Sequence, residues 1–270
     1  MSPADLDAYF ARIGYAGPRE VTRPVLAAIQ ARHVQAIPFE NIDVLHGKAI
    51  SLAPEVLQAK LVAGGRGGYC FEQNTLLAGV LRALGFEVTP LLARVRRNAP
   101  PDLRTPLTHL VLRVDLDGRP WLVDVGFGSV GPTAPIALDS AVEQASPHEP
   151  RRLLRLGDRL MHQARLGDEW VDVYEFTLEP QAPLDFELGN WFSCTHPKAH
   201  FRNNLVVTRV DGPRRHILFN HEYVVRELDG RAEKRPVTSR ADLLALLAGP
   251  FGLRLPRDTR IDWPTASWTD

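Results

Sequence analysis

The chain has 270 residues and balances 32 Lys plus Arg against 32 Asp plus Glu, so its formal net charge is zero, which argues against nucleic acid or an acidic membrane surface as a partner. Hydrophobic residues make up 44% and charged ones 24%, the proportions of a packed globular chain rather than a disordered one. Two cysteines, Cys70 and Cys194, cannot build a disulfide framework, and no apolar signal core or run of about eighteen apolar residues is present; the expected setting is the reducing cytoplasm, where a cysteine in a special context is a candidate nucleophile.

In chain order, Leu6, Tyr9, Phe10 and Ile13 recur at helical spacing and stop at Gly14, predicting a first helix. Thr22 is the expected side-chain cap of a second, with Pro24 in its first turn and an end near Gln35. A third is expected over Pro54 to Val62. A fourth, over 70–84, puts Leu77, Val80, Leu81 and Leu84 on one face and ends at Gly85. From about 86 the pattern turns to strands: Glu87–Val95, Thr108–Leu116 and Trp121–Val125, then Asn204–Val210, Arg214–Phe219 and Glu222–Leu228. A last helix, Ser239–Leu247, is capped by Ser239 and closed by Gly249-Pro250. The organisation read from this is a helical lobe over 1–85, a β lobe over 86–204 and a smaller α/β lobe over 205–270.

Chemistry concentrates in Gly64-Gly65-Arg66-Gly67-Gly68-Tyr69-Cys70-Phe71-Glu72-Gln73-Asn74. The glycine-rich stretch runs straight into a helix whose first turn holds Cys70. Unpaired N–H groups and the positive end of the helix dipole favour a thiolate there, and the same amides can stabilise an oxyanion. The plainer alternative is an inert buried cysteine. A base is therefore sought among nine histidines. His33, His46, His148, His162 and His221 fall in helical or polar loop contexts, and His196 with His200 lacks a third ligand for a metal, so no metal site is expected.

His109 stands apart. Asp117-Gly118 predicts a two-residue hairpin turn that pairs Leu116 with Arg119, Val114 with Trp121 and Val111 with Asp124, and sets His109 opposite Gly126. Leu110, Leu112, Val114, Trp121, Val123 and Val125 then share a core face. His109, Val111 and Asp124 share the other, with His109 and Asp124 diagonal neighbours, which is what a carboxylate needs to orient an imidazole. Gly126 is expected to leave room there for a substrate. Spacing alone does not bring Cys70 to this hairpin.

These residues resemble the arylamine N-acetyltransferase family over nearly the whole chain. The resemblance rests on Arg12-Ile13-Gly14-Tyr15, Ile37-Pro38-Phe39-Glu40-Asn41, Arg66-Gly67-Gly68-Tyr69-Cys70-Phe71-Glu72 with Asn74, Thr108-His109, Val123-Asp124-Val125-Gly126-Phe127-Gly128, His196-Pro197 and Phe251-Gly252. It implies an α+β fold of N-terminal helical bundle, central β-barrel and C-terminal α/β lid, with a core like that of cysteine proteases and transglutaminases. It also implies a catalytic Cys70, His109 and Asp124, and a ping-pong transfer of acetyl from acetyl-CoA to arylamines, arylhydrazines or N-hydroxyarylamines. Acetyl-CoA is then a co-substrate, with no cofactor permanently bound. By the same resemblance Phe39, Tyr69, Phe127 and Phe201 line the acceptor pocket, and Thr108 lies along the CoA arm together with Gly126, Phe127 and Gly128 of the 126–131 loop. The backbone of Phe71 is the expected oxyanion site, Arg66 and Glu40 an ion pair at the lobe junction, and Cys194 structural. Lys198-Ala199-His200 replaces the small polar residues common after the His-Pro pair. The alternative activity on the same triad is an amide synthase that releases a carrier-bound polyketide as a macrolactam.

Overall fold

The structure, a computed structural model, describes residues 1–256, 259–266 and 268. Helix α1 (Pro3–Ile13) opens with a reciprocal cap: Asp5 N–H donates to the Ser2 hydroxyl at 3.2 Å and Ser2 N–H to the Asp5 carboxylate at 2.8 Å. Gly14, at φ 63°, ends it. Helix α2 (Arg23–Ala36) follows, but Thr22 makes no side-chain cap. Pro24 sits at the second helical position and removes one of the two N–H groups a capping hydroxyl would use.

A two-residue strand β1 (Phe39–Glu40) precedes helices α3 (Ile42–Leu45) and α4 (Pro54–Leu57). The helix expected over 54–62 is therefore composite: α4 runs into a π-helical segment, Gln58–Ala63. That segment places Lys60 within 2.9 Å of Asp43 and 2.7 Å of Glu72, so the widened turn coincides with a buried ion cluster. Helix α5 (Cys70–Leu84) then runs to Gly85, at φ 99°.

The middle of the chain supplies β2 (Glu87–Val95), β3 (Leu107–Leu116), β4 (Arg119–Val123), β5 (Ile136–Ala137), β6 (Arg151–Leu156), β7 (Arg159–Leu166) and β8 (Glu169–Phe176). They form one antiparallel sheet in the order β5-β4-β3-β2-β8-β7-β6, the nearly closed barrel of the fold. Helices α6 (Pro183–Thr195) and α7 (His200–Asn203) come next, inside the stretch read from sequence as β. The apolar residues of α6 are misleading. Leu184, Leu188 and Trp191 are spaced along one face but face solvent, while Gly189 turns inward because a β-carbon there would lie 2.8 Å from the Phe71 ring.

Strands β9 (Val206–Asp211), β10 (Arg214–Phe219), β11 (Glu222–Arg226) and β12 (Ala232–Pro236) and helix α8 (Arg240–Ala248) complete the fold. The Ser239 hydroxyl caps α8 as expected, accepting from Asp242 N–H at 3.1 Å. β12, exposed along its length and charged, was not legible as a strand. β1 joins this last sheet through Phe39 opposite Thr208 and Glu40 opposite Val207, so residues from the N-terminal helical stretch form the edge of the C-terminal sheet.

Both faces of the β3–β4 hairpin are buried. Leu110, Leu112, Val114, Trp121 and Val123, with Val125, pack into the core shared with α1, α2 and α5. Val111 and Leu122 point the other way, into the barrel interior with Tyr174 and Phe127. No helix among the described residues is long and apolar enough to cross a membrane.

Candidate active site

Asp117 and Gly118, at φ 53° and 71°, form the predicted left-handed turn. The pairs that follow, Leu116 with Arg119, Val114 with Trp121 and Leu112 with Val123, are in the register the turn dictates. His109 and Asp124 consequently meet: His109 Nε2 lies 2.8 Å from Asp124 Oδ2. The face that carries them is not a surface, and both residues are essentially without solvent exposure.

Cys70 reaches the hairpin by close packing at one glycine. A β-carbon on Gly126 would lie 2.6 Å from Cys70 Cα and 3.0 Å from its carbonyl oxygen. The space left by the missing side chain is thus filled by the start of α5, not kept open for substrate as the sequence suggested. Asn74, one turn along α5 on the same side, completes the joint. Its Nδ2 donates to Asp124 Oδ1 (2.9 Å) and to the Leu110 carbonyl (2.7 Å), and its Oδ1 accepts from Val125 N–H (3.0 Å). The sequence reading quoted Asn74 without a role; its position four residues after Cys70 was the available signal.

The Cys70 thiol donates to the Thr108 carbonyl at 3.5 Å, next to His109, and interacts electrostatically with the imidazole. With Nε2 on Asp124, the ring leaves Nδ1 for the thiol. Burial alone would push the imidazole down, but the charge and hydrogen bond of Asp124, with the thiol's contribution, hold it up, to about 10. Burial opposes the ionised form of Asp124 in turn, yet His109 and hydrogen bonds from Asn74 and Gly126 N–H keep it below the usual carboxylate range. Phe127 stands edge-on to the imidazole at 5.1 Å and Tyr174, unforeseen from sequence, packs at 4.9 Å.

Glycines in the approach to Cys70 serve contact more than flexibility. A β-carbon on Gly67 would come within 2.1 Å of the Pro38 carbonyl oxygen. Beside this loop Arg66 binds Glu40 at 2.7 Å within a larger buried group that includes Asp43, Lys60 and Glu72. Burial outweighs Lys60 there and pushes the Glu72 carboxyl up to about 7.

Known proteins resemble this chain over most of its length. A family model described as N-acetyltransferase matches residues 23–260. The arylamine N-acetyltransferase of Escherichia coli K12 is 41% identical over 255 residues, covering 94% of this chain and 90% of that protein. The chain belongs to the arylamine N-acetyltransferase family. The Mycolicibacterium smegmatis member is 42% identical over 256 residues, covering 93% and 92% of the two chains. A solved structure of the Mycobacterium marinum enzyme superposes with a TM-score of 0.89 at 40% identity over 92% of each chain, and another holds that enzyme in complex with CoA, at 39% identity and the same TM-score and coverage.

Of the residues the resemblance singled out, Phe39, Tyr69 and Phe201 come together, with Phe201 5.6 Å from Phe39 and 5.8 Å from Tyr69. Tyr69 is fully buried, and its hydroxyl donates to the Asn190 side chain of α6, so it underlies this aromatic group rather than facing outward. Phe127 lies on the imidazole side instead. Gly128, at φ 85°, begins a turn that Gly131 N–H closes at 3.0 Å. Three arginines distant in sequence grip this turn's carbonyls: Arg226 on Ser129 (2.6 Å), Arg151 on Val130 (2.6 Å) and Gly131 (3.0 Å), and Arg215 on Gly131 (2.8 Å). All three share Glu149 as counter-ion. Cys194 is buried, its thiol 3.8 Å from the Trp191 carbonyl. No group of three or more His, Cys, Asp or Glu side chains suited to a metal occurs among the described residues.

Proposed function

We propose that this family member moves an acetyl group from acetyl-CoA to the nitrogen of arylamines and arylhydrazines, or to the oxygen of N-hydroxyarylamines, through an acetyl-cysteine on Cys70. The observation that carries the reading is the buried His109–Asp124 contact at 2.8 Å, with the Cys70 thiol beside it, bound to the carbonyl of the adjacent Thr108 and interacting with the imidazole. In the first half-reaction the Cys70 thiolate attacks the thioester carbonyl while His109 is an imidazolium. The negative oxygen of the tetrahedral adduct is met by N–H groups of the first turn of α5, Phe71 among them, which have no partner within the helix. Collapse breaks the carbon–sulfur bond to CoA, whose sulfur takes the proton from His109, leaving acetyl-Cys70 and a neutral imidazole.

In the second half-reaction the acceptor nitrogen attacks the acetyl carbonyl and gives its proton to His109, and the adduct expels the Cys70 thiolate. The imidazolium is thereby regenerated. Asp124 assists this step because its charge makes the imidazole a stronger base and fixes which nitrogen faces the reacting atoms. Arylamines are weakly basic and carry a free lone pair at neutral pH, so they need little activation. Burial of Cys70 and His109 supports amine over water as acceptor. The Phe39–Phe201 group is the proposed seat of the acceptor ring, and Thr108 with the 126–131 turn that of the CoA arm. The test is steady-state kinetics of CoA release with aniline or a hydrazide as acceptor. Parallel double-reciprocal lines and loss of turnover in Cys70→Ala are expected; converging lines or activity in Cys70→Ala would overturn the reading.

A further inference from the structure

The peptide bond between Gly68 and Tyr69, one residue ahead of the bond into Cys70, is held on both its polar groups by side chains of the catalytic helix. Its N–H donates to the Glu72 carboxylate at 3.1 Å. Its carbonyl accepts from the Gln73 side-chain amide at 2.9 Å, and from Glu40 N–H at 3.1 Å. The Gln73 backbone N–H, in addition, takes the Tyr69 carbonyl at 3.0 Å. One residue thus binds two successive carbonyls. Because C=O and N–H point opposite ways in a trans peptide, drawing the Tyr69 carbonyl toward the helix turns the Cys70 N–H outward from its start.

The orientation of Gln73 is itself determined. Its Nε2 lies on two carbonyls, Gly68 and Pro38 (3.2 Å), so it must be the donor end. Oε1 therefore accepts from His33 Nε2 at 2.9 Å, which makes His33 the Nε2–H tautomer, and its Nδ1 accepts from the Tyr9 hydroxyl at 2.8 Å. Every member of this chain is fully buried. Burial also holds His33 down, to about 4, so the neutral form the chain requires is the stable one. One turn earlier on α2, the Gln30 amide donates to the carbonyls of Asp124 and Pro132, both at 3.2 Å. A single helix thereby touches both halves of the site, the cysteine segment through His33 and the end of the hairpin through Gln30.

We infer that Gln73, locked by His33, is a positioning residue for acyl transfer: it fixes the Gly68–Tyr69–Cys70 backbone so that the first-turn N–H groups of α5 face the oxyanion. The inference rests on the proposed acetyl-cysteine chemistry. Attack on a thioester needs an oxyanion site; alkylation by iodoacetamide displaces iodide at a saturated carbon and does not. The test compares two single-turnover rates on Cys70, acetylation by acetyl-CoA and alkylation by iodoacetamide, in Gln73→Met, His33→Leu and His33→Gln. Gln73→Met keeps length but removes the donor, and its acetylation is expected to slow about 30- to 100-fold while alkylation changes less than about threefold. His33→Leu, which frees the Gln73 amide to turn over, follows in the same direction, and His33→Gln, which keeps a donor near Gln73 Oε1, restores acetylation. Equal losses in both rates, or no loss in either, would overturn the inference. Should those variants not fold, Tyr9→Phe removes a single hydroxyl, and an unchanged ratio of the two rates would overturn it as well. Failure of the unaltered protein to be acetylated would count against the proposed function instead.

Discussion

Gly126→Ala isolates the contact that joins the cysteine helix to the hairpin. Gly126 has no left-handed backbone conformation, so the added methyl acts through space alone. Its β-carbon would sit 2.6 Å from Cys70 Cα, whereas ordinary contact begins near 3.4 Å; Cys70 Cα and its carbonyl oxygen are backbone that cannot rotate away, and the Asn74 side-chain amide at 2.8 Å is itself held by Asp124 and the Leu110 carbonyl. Relief requires the start of α5 and the end of β4 to part by about 0.8 Å, the difference between those distances. A displacement approaching 1 Å at reacting groups lowers rate roughly 10²-fold, which is about 2.7 kcal/mol of barrier. Overpacking is expected to cost a further 1–3 kcal/mol or so of stability. The assay is the single-turnover rate of Cys70 acetylation at saturating acetyl-CoA, beside thermal unfolding. Gly79→Ala on the same helix is the control, because its nearest new neighbour is a flexible methionine methyl at 3.6 Å; it should leave the rate alone and stabilise by about 0.5–1 kcal/mol. If Gly126→Ala acetylates at more than about a third of the normal rate, the tight junction does not set the reaction geometry.

Asp124→Asn should slow acetylation on the order of 10³- to 10⁴-fold, because an amide cannot hold the imidazole in the same tautomer and charge state. His109 titrates higher in the folded chain, near 10, than its ordinary 6.5, so the pair's stabilisation is complete below about pH 6.5 and lost as pH rises through about 10; the thermal deficit of Asp124→Asn should therefore shrink on the alkaline side. Glu72, raised from 4.5 to about 7, has the same sign for a different reason: burial favours its protonated form, so the folded chain loses stability as pH rises from about 4.5 through 7. The stability difference between Glu72→Gln and the unaltered chain should accordingly move toward the variant over that interval, as read by denaturant unfolding at several pH values. Phe201→Ala removes the ring that packs tilted against Phe39 and edge-on to Tyr69 and should raise KM for aromatic acceptors roughly tenfold, while the acetylation rate by acetyl-CoA stays the same.

The hairpin half of the site was legible because it is local. Asp117-Gly118 fixes the register, and register fixes which face His109 and Asp124 share. The cysteine half was legible as a helix start but not as a partner of the hairpin. That union depends on Gly126 meeting Cys70 and on Asn74 bridging the two, contacts between residues about fifty positions apart that no periodicity encodes. His33 was set aside as one more helical histidine, since nothing local signals that Tyr9 and Gln73 close on it from two other helices. The arginines around Glu149 were invisible for the same reason. Helix α6 escaped notice because its largest aliphatic side chains, Leu184 and Leu188, and Trp191 face solvent while its buried positions are Gly189, Asn190, Ser193 and Cys194, small or polar residues that carry no apolar helical pattern.

The measurement that bears most directly on the central claim is intact-protein mass spectrometry after incubation with acetyl-CoA, before and after addition of an arylamine. The account predicts a gain of one acetyl group that maps to Cys70, is absent from Cys70→Ala and is discharged by the amine. A thiol that iodoacetamide still alkylates readily but that gains no acetyl group from acetyl-CoA would contradict it, and would point to a different acyl donor for the same triad.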